Sequence, residues 1–149
     1  MTYYIGVDPG MSGSICSIDS EGTPCVVTKT DKPYKEIWDK LWWYGLEDSE
    51  AVVELVHSMP NQGVASTFKF GESFGMLLGL MTASNIPYVK VRPSVWCKEF
   101  GLKRKEGEPN TDWKNRHKQL ALELFPDADV THATADALLI AEYCRRTNK

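Results

Sequence analysis

The sequence predicts an α/β protein organised on a five-stranded mixed sheet, three antiparallel strands and then two parallel ones, flanked by helices. Three observations predict it. Apolar runs at Tyr3–Asp8, Ser14–Asp19 and Cys25–Thr30 follow one another across short turns, as the strands of a meander do. Two later apolar runs, Ala51–Val56 and Ile86–Val91, each come after a stretch of helical spacing. Beyond them the chain holds only helical patterns and one polar loop.

The first strand is the pivot. Tyr3-Tyr4-Ile5-Gly6-Val7-Asp8 ends in a carboxylate, and Pro9-Gly10-Met11-Ser12-Gly13 turns sharply after it. An unpaired carboxylate is costly to desolvate, so Asp8 is expected at a strand edge or facing a cation. Three readings suit this opening: Asp8 holding a divalent metal, the turn touching a nucleotide phosphate, or an Asp that merely closes a turn.

In the next stretch, Pro33 near a first turn, apolar residues at Ile37, Trp38, Leu41 and Trp42, and Gly45 at the end predict a helix with an apolar face on the sheet. Ala51-Val52-Val53-Glu54-Leu55-Val56 then repeats the pattern of the first strand, an aliphatic run interrupted by one acid. Such a run suits a central strand covered on both faces. Glu54 inside it is hard to explain as scaffold and needs a cation, a proton or an opening onto a cleft.

After the loop His57–Gly63, a helix is predicted from about Ser66 to Ser84, with Gly71, Gly75 and Gly79 on one face. Each glycine weakens a helix by about 1 kcal/mol relative to alanine, so something is expected to pack close there, the sheet or a partner helix. Arg92-Pro93 stops the fifth strand, and a short helix, Ser94–Phe100, follows. Gly101–Asn110 reads as a surface loop carrying Lys103-Arg104-Lys105. Asn110 or Thr111 caps a helix running to Phe125, its buried side formed by Leu120, Ala121 and Leu124 and its polar side by Lys114, Arg116 and Lys118. Those cations make either a solvated face or a phosphate contact. The last helix is predicted to start near Thr131 and run through Tyr143, which puts His132 and Asp136, four apart, on one face. A carboxylate near a helix N-terminus is favourable in any case. Taken with Asp8 and Glu54, the pair makes a coherent metal site.

The totals bound these readings. At 149 residues the chain fits one domain with a real core, and 42% hydrophobic and 25% charged residues are ordinary for a soluble protein. No apolar stretch approaches the roughly 20 residues of a membrane span, and the N-terminus lacks a signal pattern, so the protein is expected to stay in the cytoplasm where it is made. Nucleotide-binding folds with this opening resemble a duplicated domain, and only one half is present here. Cys16, Cys25, Cys97 and Cys144 form no CxxC pair and are expected to pack in a reducing compartment. A net charge of -3 does not itself point to nucleic acid. Yet Lys98, Lys103, Arg104, Lys105, Lys114, Arg116 and Lys118 crowd into one third of the chain, and a mildly acidic protein can present a basic face to phosphates.

The segments Ile5-Gly6-Val7-Asp8-Pro9-Gly10, Val53-Glu54, Phe70-Gly71-x-x-x-Gly75, Val91-Arg92-Pro93 and Ala135-Asp136-Ala137-Leu138 occur in this order over nearly the whole chain. In them the sequence resembles RuvC-type Holliday junction resolvases of the short phage-encoded kind, within the RNase H-like nuclease superfamily. The resemblance implies an RNase H-like fold, a homodimer that nicks a four-way DNA junction on two strands, and two Mg²⁺ or Mn²⁺ ions per site. It implicates Asp8, Glu54 and Asp136 as metal ligands. There are two departures. The family's further Asp, three residues before the last, is Ala133 here, and the adjacent His132 is expected to substitute for it. The family's aromatic three residues after the Glu, able to stack on a base, is His57 here. The helix bearing Gly71, Gly75 and Gly79 is the expected dimer contact, and the basic residues are expected to hold phosphates without reading sequence. Two alternatives stay open: an RNase H-like or flap nuclease acting on hybrids or forks, and a degenerate domain that binds branched DNA without cutting.

Overall fold

The computed structural model describes residues 1–148. Its strands are β1 (Thr2–Val7), β2 (Ser14–Asp19), β3 (Pro24–Lys29), β4 (Asp48–Glu54) and β5 (Tyr88–Val91); its helices are α1 (Tyr34–Tyr44), α2 (Val64–Ala83), α3 (Pro93–Glu99), α4 (Asn110–Leu124) and α5 (Ala135–Thr147). The strands form one sheet in the order β3-β2-β1-β4-β5. β1 to β3 pair antiparallel, and β1, β4 and β5 run parallel, the mixed sheet that the sequence predicts.

Alternation along β1 sorts the core into two layers. Ile5 and Val7 face one side, where they pack with Ile37, Leu41 and Tyr44 of α1 and Leu77 and Met81 of α2. Tyr4 faces the other, with Val52 of β4, Trp96 of α3, Ala121 of α4 and the apolar residues of α5. Ile5 and Val7 are fully buried, each contributing about 1.5–3 kcal/mol through the water it leaves behind. Helix α5 is buried along almost its whole length because the sheet covers one side and α4 the other.

The contact of α5 with β1 is closest at Gly6. A Cβ there would overlap the Ala137 carbonyl oxygen and the Ala141 nitrogen, so only glycine lets the helix backbone lie against the strand. Ala137 and Ala141 supply the matching small residues on α5.

Three expectations about the helices need correction. Helix α1 buries Ile37, Leu41 and Tyr44, while Trp38 and Trp42 are exposed, Trp42 at 50%. Its inward stripe follows the 37-41-44 spacing, and 38 and 42 fall off it by about one residue's rotation. On α2, a Cβ at Gly71, Gly75 or Gly79 would meet nothing within 4 Å among the described residues. The sheet therefore does not account for these glycines, and their face is open. Finally, α5 starts at Ala135 rather than near Thr131, and His132 lies in the preceding turn. The Thr134 hydroxyl is spent inside that turn, accepting from the Thr131 N–H at 2.9 Å and donating to the Asp129 carbonyl at 3.0 Å. His132 and Asp136 thus do not share a helical face. The four cysteines are unpaired, and Cys25, unlike the other three, is exposed.

Candidate active site

Strand register builds the site. β1 and β4 are parallel with Gly6 opposite Val52 and Val7 opposite Val53, so the next residues, Asp8 and Glu54, come side by side at the carboxyl ends of adjacent strands. Both belong to the alternation that faces α5. Glu54 is the last residue of β4 and not an interior one, which removes the difficulty of a carboxylate within a covered strand. Asp8 follows β1 directly. Its Oδ1 accepts from the Gly10 N–H at 3.1 Å, and Gly13 lies so close to the Asp8 carbonyl that a Cβ would collide with it.

From the helices, an ammonium, an imidazole and a third acid complete the arrangement. Asp136 is buried in the first turn of α5. Lys114 Nζ donates to its Oδ2 at 2.5 Å and His117 Nδ1 to its Oδ1 at 2.7 Å. A carboxylate held by Lys114 only accepts, so the His117 proton sits on Nδ1. Its Nε2 is buried with no hydrogen-bond partner among the described residues, and the ring meets Trp96 and Trp113 edge-on. Trp96 in turn donates its indole N–H to Glu54 Oε2 at 2.8 Å. Asp8, Gly10, Ser12, Gly13, Glu54, Asn110, Thr111, Lys114 and His132 line an open pocket of about 560 Å³.

The acids are not equivalent electrostatically. Burial, and then the charge of Asp136, push Asp8 up to about 6. Burial, and then the charge of Asp8, push Glu54 up to about 7, against the Trp96 hydrogen bond that favours its charged form. For Asp136 burial also pushes upward, but the His117 hydrogen bond and the Lys114 charge outweigh it and hold the carboxyl below its ordinary range. Burial likewise works against the Lys114 ammonium and is overcome by Asp136, Asp8 and Glu54, so its value is raised. Asp8 and Glu54 are therefore short of positive charge, whereas Asp136 is supplied with it.

Those hard oxygens suit a Mg²⁺ or Mn²⁺ ion. Asp8 and Glu54 fit that role, being adjacent, open to the pocket and under-compensated. Among the described residues, no three His, Cys, Asp or Glu side chains converge as a metal-holding group. The Ala133 position offers no side-chain donor, and its carbonyl accepts from Ser14 Oγ at 2.8 Å.

Of the residues singled out in the sequence, Asp8, Glu54, His132 and Lys114 meet around the pocket, and Asp136 stands behind Lys114. The others lie apart from it. His57 is exposed beside a different pocket with Leu55, Met59 and Phe70. Lys103, Arg104 and Lys105 are exposed on their loop. Lys98, Lys103 and Arg104 rim an apolar hollow that includes Leu102 and Trp113. Arg116 is engaged within the chain, its Nη1 donating to the Lys103 carbonyl at 3.0 Å and to Glu108 at 3.1 Å. Lys118 is half-buried. Of the three α4 cations, Lys114 turns into the site, Arg116 braces the basic loop and Lys118 stays on the helix surface.

No protein-family model and no curated protein sequence matches the chain. Solved structures do. Thermus thermophilus RuvC in complex with a Holliday junction substrate superposes with a TM-score of 0.57 at 15% identity, over 98% of this chain and 96% of that one. A second Thermus thermophilus RuvC structure gives 0.57 at 17% identity, over 97% and 96%. The fold is that of RuvC. At this identity the likeness to RuvC is one of architecture, and what the site does has to be argued from its own residues. Sequence reading missed His117 and Trp96. A signal existed for the first: His117, Ala121 and Phe125 recur every fourth residue and are all buried, which placed an imidazole on the inward stripe of α4.

Proposed function

We propose that this chain is a divalent-metal-dependent endodeoxyribonuclease that nicks four-way junctions or other branched DNA, working as a homodimer. The observation that carries the reading is the in-register pairing of Asp8 with Glu54 at the ends of two parallel strands, both facing one pocket and both pushed upward by burial and by neighbouring acids. The RuvC-like fold supports the substrate class, since RuvC itself has been solved with a Holliday junction substrate.

In this reading Asp8 and Glu54 present carboxylate oxygens to the ion, and His132 offers an imidazole from the pocket rim. Bound Mg²⁺ or Mn²⁺ supplies Lewis-acid stabilisation of the charge that develops on the phosphoryl oxygens. Lys114, anchored on Asp136, adds a positive charge beside the scissile phosphate. Lys98, Lys103, Arg104 and Lys105 bind flanking phosphates. Two-fold pairing through the open glycine face of α2 gives two sites for two strands.

The deciding experiment offers purified protein a four-way junction, a fork and an RNA–DNA hybrid with Mg²⁺. Paired nicks in the junction are expected. Preference for the hybrid or fork moves the protein to the other nuclease class. Tight junction binding without cleavage by any divalent ion marks it as a non-cutting binding domain, the reading that Ala133 favours.

A further inference from the structure

Three carboxylates stand near the pocket, and their oxygens are used very differently. Asp8 receives one hydrogen bond, from Gly10, on one oxygen. Glu54 receives one, from Trp96, on one oxygen. Asp136 has both oxygens taken, Oδ2 by the Lys114 ammonium and Oδ1 by His117. Lys114 and His117 are three residues apart, so a single face of α4 delivers both donors. His117 is 3% exposed and wedged between Trp96 and Trp113, which leaves its ring little freedom to swing away. Lys114 is 43% exposed in its side chain yet aimed inward, where it also lines the pocket with Asp8 and Glu54.

We propose that the site takes one divalent cation, held by Asp8 and Glu54, and that the Lys114 ammonium permanently fills the place at Asp136 that a second cation would need. The inference rests on the metal-dependent reading above and departs from the two-ion expectation raised by the sequence. A second ion could reach Asp136 only by displacing an ammonium that already bonds Oδ2. It would then lie next to that same positive charge, which the buried Asp136 holds at short range. The other oxygen is closed by a buried imidazole that has given its Nδ1 proton to the bond. Asp136 is thus a positioning residue for Lys114, and Lys114 supplies a fixed charge that no change in metal concentration can remove.

Counting bound ions without DNA tests this. Mn²⁺ is titrated into the protein and the unbound ion is followed by its electron paramagnetic resonance signal. One Mn²⁺ per chain is expected for the wild type. Lys114→Met should add a second, because Asp136 Oδ2 is then left without its partner beside the pocket. Lys114→Met combined with Asp136→Asn should return the count to one, and Lys114→Arg should keep it at one. Circular dichroism identifies any variant that has not folded, and Lys114→Arg against Lys114→Met still separates charge from packing. Two ions in the wild type, or one in folded Lys114→Met, overturns the inference while leaving metal dependence intact. No Mn²⁺ bound to the wild type overturns both.

Discussion

Trp96 donates its indole N–H to Glu54 Oε2 at 2.8 Å, joining α3 to the end of β4. This bond favours the ionised form of a carboxyl that burial already pushes up to about 7. Trp96→Phe keeps an aromatic ring and removes the donor. Glu54 should then hold its proton to still higher pH, by on the order of one unit. The rising limb of the nicking rate against pH should move upward with it. A profile that stays in place would show that Glu54 is not the group being read.

The raised carboxyls also predict how metal-free stability depends on pH. Asp8 and Glu54 have ordinary values of 3.8 and 4.5 and stand at about 6 and about 7 in the fold. Below about pH 4 both folded and unfolded states are protonated and the groups cost nothing. Between about pH 4 and 7 the unfolded chain has released protons that the fold still holds, so stability falls, and it levels off once the folded state has given them up as well. Asp136 has the opposite sign: its lowered value adds stability at neutral pH that is lost only in acid, as pH drops through its folded value. In EDTA, the thermal midpoint should therefore decline between about pH 4 and 7 and level off above. Asp8→Asn or Glu54→Gln should flatten the decline, raise the midpoint at pH 8 by about 2–4 °C and abolish nicking. Added Mg²⁺ should restore the wild type alone. Identical slopes in wild type and variants would count against the electrostatic account.

His132 reaches the pocket from a turn, not from a helical face, and a turn residue is easier to re-aim. His132→Ala is expected to lose most nicking activity, by roughly 10–100-fold, and His132→Asp to keep a good part of it. The softer imidazole should make Mn²⁺ the better ion at limiting concentration, a preference that His132→Asp should lose. Single-turnover rates with each metal decide it. Full activity in His132→Ala removes this residue from the site.

Lys103, Arg104 and Lys105 are exposed on their loop, where Arg104 also donates to the Glu108 carbonyl at 3.2 Å, while Arg116 is tied down beneath it. Triple alanine replacement should weaken binding to all branched DNAs alike and flatten the log–log dependence on salt by roughly two to three. An unaltered slope reduces these residues to a solvated surface. Arg116→Ala should act differently, through loosening of the loop whose Glu108 and Lys103 carbonyl it holds.

Within one chain nothing resists a side chain on the open face of α2. Gly75→Ala should therefore stabilise the isolated protomer, by about 1 kcal/mol, while Gly75→Leu should give a folded monomer in sedimentation if two copies meet there. A Gly75→Leu protein that still sediments as a dimer places the interface elsewhere, and exposed Phe68 on the same helix, at 74%, is the next position to alter.

The sheet was legible because strand signals are local: alternation, short turns and acids that interrupt apolar runs. Asp8 and Glu54 stood out for the same reason, since a carboxylate at the end of an aliphatic run has few scaffold uses. The inward face of α4 was not legible in this way. Lys114 and His117 look polar by themselves, and spacing tells which residues share a face without telling what lies opposite. The partner, Asp136, comes 22 residues later on another helix. His132 was misplaced on α5 because a helical pattern does not disclose where hydroxyl bonds of a turn, here those of Thr134, delay the first helical residue. The tryptophans of α1 misled through size, since Trp38 and Trp42 were read as part of the inward face and both meet solvent.

Gly6 and Ala137 touch backbone to backbone across 131 positions of sequence. During synthesis the ribosome releases β1 and β4, and with them Asp8 and Glu54, long before α4 and α5 exist. Until Ala137 has emerged and docked on Gly6, neither Lys114 nor Asp136 can take its place beside the pair. A nascent or truncated chain thus carries the two acids without their companions. The full arrangement arrives together with the final helix, and proteolysis that frees α5 takes it apart in one step.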